Sequence, residues 1–160
     1  MMDNQLVLYE EDHKKILTVI GRLVREANAK GVFVVDKNGQ LIASSGQAQN
    51  LDTTSLASLT AGNVAAMGGL AKLIGEKEFP NQFHEGEKES LHMSIVGGRV
   101  VLVVIFDAKS SLGLVRLRVK KAGEELARVF EGLAKKQAAP GAASPFAEIT
   151  DDDIDNLFSE

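Results

Sequence analysis

The sequence predicts an α/β (α+β) domain in which one sheet is covered by helices on both faces, with elements in the order α-β-β-α-β-β-β-α. Three observations predict it. Residues 100–106, VVLVVIF, are apolar at every position, the pattern of a strand buried on both faces. Asn38-Gly39 and Gly97-Gly98 each separate two short strand-like runs, so neighbouring strands return as hairpins. Three longer segments repeat apolar residues every three or four positions, as sheet-covering helices do.

Taken in order, the first helix covers about residues 10–29, with Ile16, Ile20, Leu23, Val24 and Ala27 at helical spacing and Lys14, Lys15, Arg22 and Arg25 distributed around them. Lys30-Gly31 ends it. A β-branched and aromatic run at 32–35 is stopped by Asp36-Lys37-Asn38-Gly39, whose Asn-Gly pair tolerates the positive φ of a tight turn, and 40–44 returns as the partner strand. A small polar stretch, 45–52, leads into a helix over 53–75, with Asp52 or Thr53 as N-cap and Gly75 in the place of a C-terminal glycine. After the break at Phe79-Pro80-Asn81, strands are expected at 82–85, 89–96 and 99–106, the last two joined by a two-residue Gly97-Gly98 turn. The final long helix begins near Ser110 and carries Leu112, Val115, Val119, Ala122, Leu126, Val129 and Leu133 as its buried stripe.

Residues 1–136 read as one domain. The composition then changes to a Pro-, Gly- and Ala-rich flexible linker over 137–147, followed by a short acidic amphipathic helix over 148–160. In that last segment Thr150 can cap, Asp151 to Asp153 suit the positive end of a helix, and Ile154, Leu157 and Phe158 share one face. So short a helix needs a partner surface to order it.

The helix over 53–75 is the unusual element. At 100° per residue Leu56, Leu59, Met67, Leu70 and Ile74 gather on one side, while Ser58, Gly62, Ala65 and Gly69 gather on the other. Each of Gly62, Gly68 and Gly69 costs about 1 kcal/mol against alanine in a helix, so something needs a close backbone approach. The large side chains are expected to face the core, leaving the small face free for a second copy, a foreign protein, or both. Asn63 is expected to be a bonded core amide or an interface register device.

No enzyme chemistry emerges. With no cysteine, disulfides, cysteine-ligated zinc and thiol catalysis fall together. There is no GxxxxGK[ST] loop, no GxSxG elbow and no HExxH pair, so no catalytic residue and no cofactor is assigned. The net charge of −4 offers no broad attraction to nucleic acid or anionic lipid, and the longest apolar run is too short to span a bilayer. A cytoplasmic location is the simplest expectation. The cluster His84, Glu85, Glu87, Glu89 and His92 is weighed as a metal site or as a solvated edge strand, and its histidine spacing favours the strand, so no metal is assigned. The basic run Arg116, Arg118, Lys120 and Lys121 is read as a solvated helix face, with an anionic partner groove as the alternative.

The segments VFVVDKNGQLIASSGQ, LDTTSLASLTAGNVAAMGGLAKLIG, QFHEGEKESLHMSIVGGRVVLVVIFD and SLGLVRLRVKKA, with the ending SPFAEITDDDIDNLFSE, resemble the MglB-like bacterial branch of the Roadblock/LC7 family over nearly the whole chain. The resemblance implies a five-stranded, mostly antiparallel sheet sandwiched by helices. It also implies a homodimer that acts as GTPase-activating protein for a GTP-bound, MglA-like Ras-family GTPase in bacterial polarity and motility, concentrated at a cell pole. By resemblance, the GTPase-binding platform is Ser58, Ala61, Gly62, Ala65, Gly69 and Lys72, and the edge at which two protomers join is Gln82, Phe83, His84 and Glu85, within 82–89. Ile149, Ile154, Leu157 and Phe158, with Phe146, are the implied contacts of the C-terminal helix, which influences nucleotide exchange. The family's activators bring no arginine finger; Arg99, Arg116 and Arg118 are the positions from which one could come. The alternatives are a non-catalytic dimeric Roadblock adaptor and a metal-dependent enzyme using His84 and His92.

Overall fold

The computed structural model describes residues 9–47 and 51–138. The eight elements among these residues are α1 (Glu10–Glu26), β1 (Gly31–Asp36), β2 (Leu41–Gly46), α2 (Thr53–Leu73), β3 (Asn81–Glu85), β4 (Ser90–Val96), β5 (Val100–Phe106) and α3 (Leu112–Ala138). The expected order holds. Helix α3 continues through Gln137 and Ala138, the first two residues of the stretch read as linker, and the acidic C-terminal segment lies outside the described residues.

The five strands form one sheet in the order β2-β1-β5-β4-β3. All four pairings are antiparallel. Strand β5 lies in the middle, and its uniform apolarity follows from that place: Val100, Leu102, Val104 and Phe106 point to the layer of α1 and α3, while Val101 and Val103 point to the layer of α2. Strand β1, beside it, is buried at all six positions.

Helix α1 buries Ile16, Val19, Ile20 and Leu23, and its acidic first turn, Glu10 to Asp12, suits the positive helix end. Helix α3 packs beside it through Val115, Val119, Ala122, Leu126, Phe130 and Leu133. Phe130 belongs to this stripe although the sequence reading chose Val129, which is half-buried one position away. Arg22 and Glu125 join the two helices through a paired contact of 3.0 and 3.1 Å, and Arg118 reaches Glu26 at 3.6 Å. Lys136 approaches the buried Asp12 carboxylate at 3.4 Å and lies over the Tyr9 ring, so the two helices are also tied near the end of α3.

The second hairpin departs from its expected form. Val96 pairs with Val100, so the connection has three residues, Gly97, Gly98 and Arg99, where a two-residue turn was expected. Both glycines take positive φ, 59° and 69°, and the Arg99 amide donates to the Val96 carbonyl at 3.1 Å, so the glycine pair still makes the turn. In the first hairpin the buried Asp36 carboxylate accepts from the Asn38 and Gln40 amides at 2.9 and 3.0 Å, which fixes the loop from below.

Candidate functional site

Helix α2 carries the chain from one edge of the sheet, β2, to the other, β3, and it is closed at both ends. The Asp52 carboxylate accepts from the Ser55 amide at 3.0 Å and from the Ser55 hydroxyl at 2.6 Å. Those bonds hold the Asp52 carboxyl below the usual carboxylate range. At the C-terminal end Gly75 has φ 86°, its amide donates to the Lys72 carbonyl at 3.2 Å, and the Glu76 amide donates to the Ala71 carbonyl at 2.9 Å. This pair of bonds is a Schellman cap, and it needs a residue free to take positive φ.

How the helix sits between these caps corrects the sequence reading. Ala57, Thr60 and Ala71 are buried, and Leu56 and Val64 pack with Ala57 against Phe33, Val35, Val101 and Val103. The large side chains expected in the core are mostly outside: Leu59 is 73%, Leu70 46% and Ile74 66% exposed, and only Leu56 and Met67 are half-buried. The cause lies in the sheet, whose face already projects aromatic and β-branched side chains, so the helix approaches it best through small ones. A spacing of 57, 60, 64 and 71 is itself helical and carried the signal.

Ser58, Gly62, Ala65, Gly69 and Lys72 are all exposed or half-buried at the outer side of the helix, on one continuous surface with Leu59, Leu70 and Leu73. Ala61 is half-buried, beside the hairpin turn at Gly39. A Cβ added at Gly62, Gly68 or Gly69 meets nothing within 4 Å, so their smallness serves no contact within the described protomer. Of seven exposed large apolar residues among those described, four are Leu59, Leu70, Leu73 and Ile74 of this helix and its cap. Asn63 is half-buried and its Oδ1 lacks a hydrogen-bond partner, so the bonded core amide expected there is not formed at that atom.

Between α2 and the β3–β4 end of the sheet lies an open groove of about 420 Å³, lined by Ala65, Gly68, Gly69, Phe79, Gln82 and Ile95 among others. Lys37, Lys72, Lys77 and Glu78 also line it, so cations outnumber the anion, and Lys37 pairs with Glu78 at 3.9 Å. The groove runs to β3, which among the described residues has a hydrogen-bonded neighbour on one side only. On that edge strand Gln82 and Phe83 are half-buried and His84 and Glu85 exposed, and the Phe83 ring stacks on Phe106 with centroids 6.0 Å apart. Small residues, exposed leucines, ammonium groups and an open strand edge thus share one side of the molecule. Such a surface can seat a macromolecule bearing carboxylates.

The structure separates the residues of the metal alternative. His92 pairs with Phe83, and Phe83 packs in the α1–α3 layer, whereas His84 is the next residue along β3 and points to the other face. Among the described residues no group of three or more histidines and carboxylates could hold a metal ion. His92 is 2% exposed, and burial first and the Arg116 guanidinium second push its imidazole below the ordinary range. Arg99 and Arg116 are exposed, and Arg118 is engaged with Glu26. Ile149, Ile154, Leu157 and Phe158 lie outside the described residues, as does Phe146. No helix among the described residues is long and apolar enough to cross a membrane.

Comparison with known proteins places this architecture. The Roadblock/LC7 domain model matches residues 15–106. The MglB of Myxococcus xanthus is similar at 74% identity and a TM-score of 0.76, over 80% of this chain and 96% of that one. The gliding protein MglB of Thermus thermophilus is similar at 35% identity and a TM-score of 0.76, over 80% and 97%. An MglB with tetrameric arrangement is similar at 34% identity and a TM-score of 0.77, over 81% and 97%. With a family model covering more than half of its length and a relative at that identity, the chain belongs to the Roadblock/LC7 family, as an MglB-like member.

Proposed function

We propose that this chain is a homodimeric activator of a Ras-family GTPase of the MglA type, acting on its GTP-bound state and contributing no catalytic residue of its own. The observation that carries this reading is the exposed face of α2, where three glycines with no neighbour of their own adjoin exposed leucines on an MglB-like chain. Two protomers join at the β3 edge through Gln82 to Glu85, which sets their α2 helices side by side. The GTPase docks on the paired helices over Ser58, Ala61, Gly62, Ala65, Gly69 and Lys72.

Phosphoryl transfer depends on positioning and on stabilising charge spread over the transferring group. A platform that holds a switch loop in its competent arrangement therefore accelerates hydrolysis with the partner's own residues. The groove lysines attract carboxylates of the docked surface and steer its approach, so association weakens as salt rises. The C-terminal segment, through Ile149, Ile154, Leu157 and Phe158, makes a second contact on the GTPase that alters nucleotide exchange, and its tether raises avidity. This reading places the protein in the cytoplasm, at a cell pole, in a system controlling polarity and gliding; the gliding protein of Thermus thermophilus supports that context.

The test is single-turnover GTP hydrolysis by the cognate GTPase. The full chain is expected to raise the rate at least about tenfold, a barrier change of about 1.4 kcal/mol. Ala65→Arg with Gly69→Arg, at two exposed positions, should return it to the unassisted rate while leaving the circular dichroism spectrum unchanged. Hydrolysis unaffected by the double variant would remove the platform. Binding by the wild type with no acceleration would establish the dimeric adaptor instead.

A further inference from the structure

A second groove, of about 590 Å³, opens on the opposite face of the sheet between α3 and the β3–β4 end. Its floor includes His92 and Ser94, both buried, and its α3 wall offers Gly123 and Ala127. His92 Nδ1 and Ser94 Oγ have no hydrogen-bond partner among the described residues, so polar capacity lies unused beneath an otherwise apolar surface. Arg116 and Lys120, both exposed, provide the cationic end of the same wall, while Glu124 lies one turn nearer the C-terminal end.

We propose that residues 146–160 of this chain fold back along α3 into this groove, with Phe146 and Ile149 on its apolar surface at Ala127 and Gly123 and with the acidic block at 151–155 against Arg116 and Lys120. The chemistry is complementary: the segment carries carboxylates and apolar anchors together, as the groove carries cations and an apolar surface together. The reach is sufficient. Ala138 lies about 27 Å from Lys120 along the helix at 1.5 Å per residue, and residues 139–150 extended span about 40 Å. A segment returning antiparallel to α3 meets Ala127 and Gly123 first and the two cations last, which is the order of its own apolar start and acidic block. The lysine-rimmed groove beside α2 offers similar charge but opens on the other side of the sheet. Reach therefore favours the α3 groove. This inference concerns the protein without its partner and stands independently of the GTPase reading.

The absence of cysteine allows one spin label to be placed through Ser159→Cys in the full chain. Expected is loss of more than half the amide signal intensity at Gly97, Lys120 and Gly123, with little change at Lys37 and Lys72. A sample mixing isotope-labelled chains without the spin label and spin-labelled chains without isotope should show much weaker broadening, because the contact is within one chain. Arg116→Glu with Lys120→Glu should abolish the broadening while leaving amides elsewhere in place. Broadening around Lys37 and Lys72, broadening as strong in the mixed sample, no localised broadening, or broadening indifferent to the charge reversal would each overturn the proposal.

Discussion

The imidazole of His92 sits on a strand whose neighbours on both sides are paired, facing α3, and both burial and Arg116 hold it in the neutral form below the ordinary range. In the unfolded chain the same group takes a proton near pH 6.5. Its folded-state value is the lower of the two, so between them the unfolded state binds more protons and stability rises with pH. The contribution is complete above about pH 6.5 and is lost as pH falls toward the folded value. His92→Gln removes this dependence and keeps a polar side chain of similar size. Urea titrations at pH 7.5, 6.5 and 5.5 should show the wild type losing stability relative to the variant by up to about 1.4 kcal/mol per pH unit below 6.5. A stability difference that is constant across the three pH values would refute the assignment. The sequence reading put His92 with a solvated edge strand, whereas it is buried in β4 between two paired neighbours, because the faces of β3 and β4 depend on a register, Phe83 with His92, that only the folded pairing sets.

Helix α2 shows at the scale of an element why its ends were legible and its faces were not. The caps are local chemistry: Asp52 with Ser55, and Gly75 after Ile74, announce themselves within a few residues. The faces depend on what the helix meets, and a sheet surface carrying Phe33 and Val101 accepts Ala57 and Thr60 where leucines were expected. The outward position of Gly62, Ala65 and Gly69 was nevertheless anticipated, since glycines that cost helix stability point to a demand from outside. That demand can be measured. With open space at both positions, Gly62→Ala and Gly69→Ala should each raise protomer stability by about 1 kcal/mol in urea titrations at high dilution. The same pair should weaken self-association or GTPase binding several-fold, read by sedimentation and by titration with the GTPase. Loss of protomer stability would show that the glycines serve packing within the chain, and unchanged association would remove them from the interface.

Across the whole molecule, protection is unequally distributed over the one sheet. Strands β1 and β5 lie in the middle with helices on both faces, and the apolar run VVLVVIF made the place of β5 readable in advance. Strand β3 is an edge with a half-buried pair and two exposed polar residues at its end. An edge that joins a second copy must pass from unpaired to paired as the dimer forms, and the consequence is specific to the outward amides of one strand. Hydrogen exchange at rising protein concentration should therefore leave β1 and β5 unchanged and slow exchange in β3 by about tenfold or more once the dimer is populated. The exposed turns of α2 bearing Leu70 and Leu73 should gain protection over the same concentration range, since paired edges bring the two helices together. Protection in β3 that is independent of concentration, while sedimentation still reports self-association, would move the dimer contact away from this edge. Protection gained by α2 alone would retain the helix contact and remove the sheet pairing.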